Sequence, residues 1–425
     1  MVELSEVFGI ATSIPKYTYV DRASLDKKFK YLLNRDQHIV IHGASKQGKT
    51  ILCKKNLPEH QCLPVRCGSN PTLEKIYLEI LRLLGTHIPT EITKSFTLGA
   101  EGKGKVSAGF KLPFLGSGTG ELEGTSNLEK SSESVYELVG VNPDSLGYIA
   151  EQIKKSNKKV VIEDFHYLPD VEKRRLAFDL KALWDNSVFF IVIGIWADQN
   201  LLTYYNGDLS GRISEIDVQW TCSELGEVLK KGEEVLNFSF LDSLRKTIVD
   251  DANQNVGLLQ RIAEKYCFEA DILETLKQTN PAKDVIKDLQ ALYKCRKAIC
   301  NEESVRYRQF NESVSAGFRG SDASELKVYQ RILRVCIEAS DSELCNGLHR
   351  DEVLTRINRS EPQVRLSDLS AALNRLDRLQ ADRSISPLIL SFNPDSRKVQ
   401  LVDRELLFYR KYGNPRWSWE EISNG

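Results

Sequence analysis

The stretch Gly43-Ala44-Ser45-Lys46-Gln47-Gly48-Lys49-Thr50 decides how this chain is read. It fits G-x-x-x-x-G-K-[ST] at every fixed position. The glycines let backbone N–H groups turn inward on phosphates, and a following helix adds its positive dipole end. All eight residues are therefore candidate nucleotide-binding residues. Lys49 is placed for the β- and γ-phosphates, and the Thr50 hydroxyl for Mg²⁺. The context agrees. His38-Ile39-Val40-Ile41-His42 is a short β-branched run before the loop, and Lys49 to Lys55 begins a helix after it.

A phosphate loop of this type needs an acid to hold the metal's water shell. Lys159-Val160-Val161-Ile162-Glu163-Asp164-Phe165-His166 supplies one at the end of an apolar strand. By position, Glu163 is the metal-facing acid, so Thr50 and Glu163 are the expected metal ligands. Asp164 is the residue that polarises the attacking water. Acid pairs at this place usually run Asp then Glu. The reversed order, with the shorter side chain as base, predicts nucleotide binding with slow turnover.

Further runs alternate between strand and helix. Leu63 to Cys67 is a strand weakened by Pro64. Thr72 to Leu84 has helical apolar spacing, Asp144 to Lys155 and Val171 to Trp184 are helices, and Val188 to Trp196 is a long apolar strand. Ile213 to Val218 is a last strand. Continuous apolar strands separated by helices imply a parallel sheet covered on both faces, a three-layer α/β domain over residues 1–220. Leu98 to Gly124 interrupts it with eight glycines, at the centre of a glycine-rich insertion over 90–140. From Thr221, whose spacing to Glu224 is a capping box, the chain turns helical. Residues 221–281 form one helical unit, and the charged stretch 282–324 reads as a helical linker.

The chain has 425 residues, 41% apolar and 28% charged, which is ordinary for a globular protein. Its net charge of -1 excludes a strongly basic nucleic-acid coat but not a local basic patch. The longest apolar run, Val188 to Trp196, is half of the ~18 residues a membrane span needs. The start, Met1 to Glu6, carries no basic segment ahead of an apolar one, so a secretory leader is not expected. Nine scattered cysteines without a C-x-x-C are read as reduced and mostly buried, in a cytoplasmic protein.

The order of these parts resembles an AAA+ ATPase of the origin-recognition/STAND-like branch, coupled to a winged helix. The resemblance covers most of the chain. It implies ATP and Mg²⁺ as cofactors, and it assigns roles to three further regions. Tyr17-Thr18-Tyr19-Val20-Asp21-Arg22 sits where such ATPases close over the adenine, which makes Tyr19 a binding candidate. Asn206-Gly207-Asp208-Leu209-Ser210-Gly211-Arg212-Ile213 is similar to the stretch that points an arginine into the neighbouring subunit's nucleotide. Carried over, Arg212 is a catalytic candidate acting in trans. Gly257-Leu258-Leu259-Gln260-Arg261 matches the lid, with Arg261 as its sensor, and residues 221–281 become that lid. The strand end Gly194-Ile195-Trp196-Ala197-Asp198 offers only Asp198 where the family has a small polar sensor.

In residues 325–425, Glu325 to Ile337 and Arg350 to Ile357 read as helices. A third, Leu366 to Leu379, points Leu366, Leu369, Leu373, Leu376 and Leu379 inward. Leu388 to Phe392 and Val399 to Val402 are strand-like, joined by the turn Asn393-Pro394-Asp395-Ser396. This resembles a winged helix-turn-helix, which sets its third helix in DNA or docks on a protein. Arg365, Arg375, Arg378, Arg383 and Arg397 are interspersed with Asp368, Asp377 and Asp382, so both partners stay open. Trp417 and Trp419 read as a packing anchor.

The expected fold is thus α/β: a three-layer P-loop NTPase (ASCE/AAA+) with an α-helical lid and a C-terminal winged helix-turn-helix domain. The expected function is an ATP-binding, ATP-hydrolysing AAA+ switch, a homo-oligomer with nucleotide at subunit interfaces, acting on DNA or a protein partner and not on a membrane. Two alternatives are a STAND-like defence or signalling ATPase without DNA binding, and a non-hydrolysing nucleotide-binding scaffold.

Overall fold

Five short apolar runs become the strands of one parallel sheet: β1 (His38–His42), β2 (Cys62–Arg66), β3 (Lys159–Glu163), β4 (Ile191–Ile193) and β5 (Ile213–Asp217). Their order is β2-β3-β4-β1-β5. The computed structural model describes residues 1–11, 13–68, 71–86, 143–196, 199–277, 285–286, 288–318, 327–360 and 364–420. The glycine-rich insertion expected over 90–140, together with Ala197 and Asp198, lies outside them.

Successive side chains of a strand point to opposite faces, so each strand supplies both layers. Val40, Val160, Ile162 and Val192 face the helices Leu73–Leu83, Pro143–Ser156 and Asp170–Asp185. Ile39, Ile41, Val161, Ile191, Ile193 and Ile216 face Phe29 and Leu32 of Ala23–Leu33 and Leu52 of Lys49–Asn56. The sheet is therefore covered on both sides, as a three-layer α/β P-loop NTPase requires. Pro64 is tolerated because β2 is an edge strand that pairs only with β3.

The strand expected over Val188 to Trp196 is only three residues long. Past Gly194 the chain leaves the sheet, and Trp196 folds back so closely that a Cβ on Gly194 would lie 2.1 Å from the indole. The indole then stacks on His42, with ring centroids 5.6 Å apart. Shape, not hydrophobicity, ends this strand.

After the sheet come the helices Cys222–Leu236, Asp242–Asp251 and Val256–Glu269. The first opens on the Thr221/Glu224 capping box. The stretch read as a linker contains a 28-residue helix, Leu289–Ala316, that buries Cys295, Ile299, Tyr307, Phe310 and Val314. It packs against Val256–Glu269, Val328–Glu338, Leu376–Asp382 and Glu405–Tyr412. Its buried residues belong to one apolar cluster that runs from Leu4 to Trp417.

The C-terminal region places Val328–Glu338, Asp341–Asn346 and Arg350–Ser360 ahead of a broken third helix, Leu366–Leu373 and Leu376–Asp382. The break falls at Asn374–Arg375, where the Arg375 N–H closes a tight turn on the Ala372 carbonyl at 3.1 Å. Leu366, expected inward, is 42% exposed. Antiparallel strands Leu390–Asn393 and Lys398–Leu401 follow, with Leu348–His349 as a third strand. Trp417 is buried and stacked on Trp419. All nine cysteines are free. No helix among the described residues is long and apolar enough to cross a membrane.

Candidate nucleotide-binding site

The loop that leaves β1 has one backbone position that only glycine fills. Gly43 has φ +134°, and a Cβ there would lie 2.7 Å from the Val218 carbonyl oxygen. Gly48, at φ +78°, caps the helix Lys49–Asn56. The first bond into that helix runs from the Leu52 N–H to the Gly48 carbonyl at 2.9 Å. The N–H groups of Lys49, Thr50 and Ile51 thus stand at a helix start with no partner within the helix. Meanwhile three of the loop's carbonyls, those of Ser45, Lys46 and Gln47, are tied outward. Trp220 Nε1 donates to Gln47 O at 3.0 Å and Asn255 Nδ2 to Ser45 O at 3.3 Å. The Gly257 N–H donates to Lys46 O at 3.1 Å.

Lys49 reaches back into this cradle. Its Nζ donates to the Gly43 and Ala44 carbonyls at 3.0 and 2.6 Å. Only 8% of the residue is exposed. Burial pushes its pKa down to about 7, against the attraction of Asp164 and Asp217. A buried ammonium held by neutral oxygens, beside unpaired helix-start N–H groups, fits a phosphate chain.

The acids stand at the end of β3, next to the loop. Glu163 is buried, and its Oε2 accepts from Arg66 Nε and Nη2 at 3.1 and 2.9 Å. Asp164 has φ +59°. Burial and the Glu163 charge raise its pKa, while Arg66 and Lys49 oppose the rise. Beyond it, His166 is buried, and burial lowers its pKa to about 3. No cluster of three His, Cys, Asp or Glu able to hold a metal exists among the described residues. A Mg²⁺ ion needs no such cage, because it keeps waters and leans on phosphates plus one or two protein oxygens. Thr50, in the first turn of the helix Lys49–Asn56, and Glu163, at the end of β3, carry oxygens of this kind.

The remaining sequence candidates fall in three other places. Tyr19 donates to Asp26 Oδ1 at 2.8 Å, and Lys55 lies 5.3 Å from its ring centre, so the segment packs beside the helix that follows the loop. Arg212 precedes β5. Its carbonyl accepts from the His38 N–H at 2.9 Å, at the end of the sheet opposite the loop. Its guanidinium lies over the Trp184 ring and bonds to the Asp208 carbonyl. It does not join this chain's own phosphate cradle. Arg261 is enclosed by acids: Glu303 at 2.7 Å, Glu302 at 3.0 Å and Glu405 at 3.0 Å. Burial disfavours its charge, but the carboxylates outweigh burial and raise its pKa.

Glu405 was not among the residues read from sequence. Its buried carboxylate also accepts from Lys46 Nζ of the loop at 2.9 and 2.8 Å. Three residues earlier, the Val402 carbonyl accepts from the Ser45 N–H at 2.7 Å. The C-terminal region therefore grips the phosphate loop directly, about 357 positions away in sequence. Nothing local marks Glu405, which opens the ordinary-looking helix Glu405–Tyr412.

Sheet order and loop together match the three-layer α/β fold of a P-loop NTPase. No protein-family model matches the chain, and no curated protein matches it in sequence. Among solved structures it is similar to a Walker-type ATPase of Pyrococcus abyssi, at 16% identity over 95% of this chain and 99% of that one, with a TM-score of 0.52. Looser likenesses are the Orc1 protein of Aeropyrum pernix in complex with DNA (10% identity, 96% and 97% covered, TM-score 0.42) and the RuvB Holliday junction branch migration motor of Thermotoga maritima (14%, 93% and 96%, 0.35).

Proposed function

We propose that the chain is an ATP-binding switch of the AAA+ type with slow ATP hydrolysis. Its helical lid spans 221–281, and residues 325–425 form a winged helix-turn-helix that engages DNA or a protein. The single observation behind this reading is Lys49, an ammonium buried in a glycine-shaped cradle within the field of Asp164. Lys49 and the helix-start N–H groups would hold the phosphates, and Thr50 with Glu163 would hold Mg²⁺, which supplies charge neutralisation on the phosphate oxygens. Asp164 is the group that would accept a proton from the attacking water. Its short reach from a left-handed position supports slow turnover.

Arg212, at the far end of the sheet from its own loop, suits a role in a neighbouring copy's site and not in its own. In the C-terminal region, helices followed by a β-hairpin support the winged-helix assignment, and Arg375 at the break of the third helix and Arg378 on its second half are exposed. The direct test is ATP binding by calorimetry with Lys49→Ala. Unchanged affinity and turnover would end the proposal. Molar mass in solution with a slowly hydrolysed ATP analogue, for wild type and Arg212→Ala, tests the shared interface. A DNA mobility shift that weakens with salt separates DNA from a protein partner.

The scaffold reading has its own support, since Arg66 neutralises the metal-facing acid. Tight ATP binding with no phosphate release at high protein concentration would favour it over the switch.

A further inference from the structure

We infer that Arg66 is a positioning residue that governs metal entry. Its guanidinium occupies the metal-facing oxygen of Glu163 in the nucleotide-free protein, and a divalent cation takes that oxygen only when Arg66 swings out. This rests on the reading that the cradle takes a Mg²⁺-nucleotide.

The placement follows from strand register. β2 and β3 are parallel, with Arg66 opposite Glu163 at their last paired position. Both side chains therefore emerge at the same end of the sheet as the phosphate loop. Arg66 Nε and Nη2 converge on one oxygen, Oε2, at 3.1 and 2.9 Å, and Nε lies 3.9 Å from Asp164. One guanidinium thus offsets both acids of the site.

The two partners differ in freedom. The Glu163 side chain is 10% exposed and fixed by the strand, whereas that of Arg66 is 71% exposed on a long flexible stem. When a divalent ion arrives, the acid stays and the guanidinium leaves. An ion pair exposed on one side is weakly held, so a doubly charged ion with its own phosphate partners displaces it. The lysine of the loop is no substitute, because its Nζ is bonded to Gly43 and Ala44 and not to Glu163.

Arg66 acts through the two acids it contacts and touches no reacting atom.

The test is calorimetric ATP binding, first in EDTA and then at stepped Mg²⁺ concentrations, for wild type, Arg66→Ala, Arg66→Lys and Lys49→Ala. Removing the competitor should lower the Mg²⁺ concentration for half-maximal tightening roughly two- to fivefold, the worth of such a pair. Arg66→Lys, a point charge on a flexible stem, should fall between. In EDTA, Arg66→Ala should bind ATP more weakly, because both acids then face the triphosphate unscreened, while Arg66→Lys should hold the wild-type affinity. An unchanged or raised Mg²⁺ midpoint in Arg66→Ala, with binding intact, overturns this inference and leaves the nucleotide site standing. Wild type that binds no ATP, or binds it as well as Lys49→Ala does, overturns both.

Discussion

Acidifying the protein from pH 7 to pH 4 forces a proton onto a histidine built to refuse one. His38 opens β1, which lies inside the sheet between β4 and β5, and is fully buried. The Phe190 N–H donates to its Nδ1 at 2.9 Å. The ring's single proton must then sit on Nε2, where it donates to the Leu180 carbonyl at 2.8 Å. A second proton on Nδ1 would point at the Phe190 N–H, with no water to take up the charge. Burial accordingly lowers the His38 pKa from 6.5 to about 4, and the Leu180 bond opposes this only in part. Between those values the unfolded chain binds the proton and the folded one does not, so stability is full above pH 6.5 and falls as pH drops through the window. At 1.36 kcal/mol per unit the loss reaches about 3 kcal/mol by pH 4. His38→Gln keeps a donor and an acceptor on one side chain but cannot titrate. Urea denaturation of both proteins from pH 7.5 to 4 isolates the term, because His166, also depressed, contributes equally to each. The variant should be the less stable at pH 7, and the gap should shrink by about 3 kcal/mol by pH 4. A gap constant with pH, or an imidazole resonance for His38 titrating near 6.5, would refute the burial argument.

Three further outcomes follow from particular contacts. Glu405→Gln removes the carboxylate shared by Lys46 and Arg261; since Arg261 keeps Glu302 and Glu303, the cost should fall below that of an unaided buried pair, about 1–3 kcal/mol by chemical denaturation. Gly43→Ala sets a Cβ 2.7 Å from the Val218 carbonyl at φ +134°, and should lower stability by about 2 kcal/mol or more and weaken ATP binding in calorimetry. Thr221→Ala breaks the capping box in which Glu224 N donates to Oγ1 at 3.2 Å, and should cost about 1 kcal/mol, read as a lowered thermal midpoint with ATP affinity unchanged.

What the sequence revealed and what it hid divide by the range of the interactions concerned. Gly43 to Thr50 is legible because each of its constraints is local: a positive φ, a helix start and a lysine on the first turn. The Thr221/Glu224 box and the apolar runs of β1 and β3 are legible for the same reason. The strand at Val188 to Trp196 misled because hydrophobicity marks burial and not regular pairing: the Gly43 N–H still bonds the Trp196 carbonyl, but out of the register that β1 and β4 keep. Trp196 is as buried stacked on His42 as it would be in a strand. The helix Leu289–Ala316 misled in the opposite way. Its buried stripe is written in Ala291, Cys295, Cys300 and Tyr307 among charged residues, so composition scored it as a connector. Its role shows only once the helices packed against it are in place.

The contacts of Val402 and Glu405 with the loop mark the limit of such reading, and they also say most about how the molecule works. The loop is held from two directions. Asn255 and Gly257 approach from the start of the helix Val256–Glu269, and a Cβ on Gly257 would come within 2.7 Å of the Lys46 side chain. Val402 and Glu405 approach from the C-terminal region. Lys46 stands between them, with its carbonyl bonded to Gly257 and its ammonium to Glu405. A polyanion that draws this ammonium inward must take it from Glu405, which also holds Arg261 of that helix. Glu405 is itself poorly suited to ionisation, because burial and the neighbouring Asp403 raise its pKa and only Lys46 and Arg261 offset them. Glu405 thus joins the loop to the helix Val256–Glu269 through one carboxylate, which binds Lys46 on one side and Arg261 on the other.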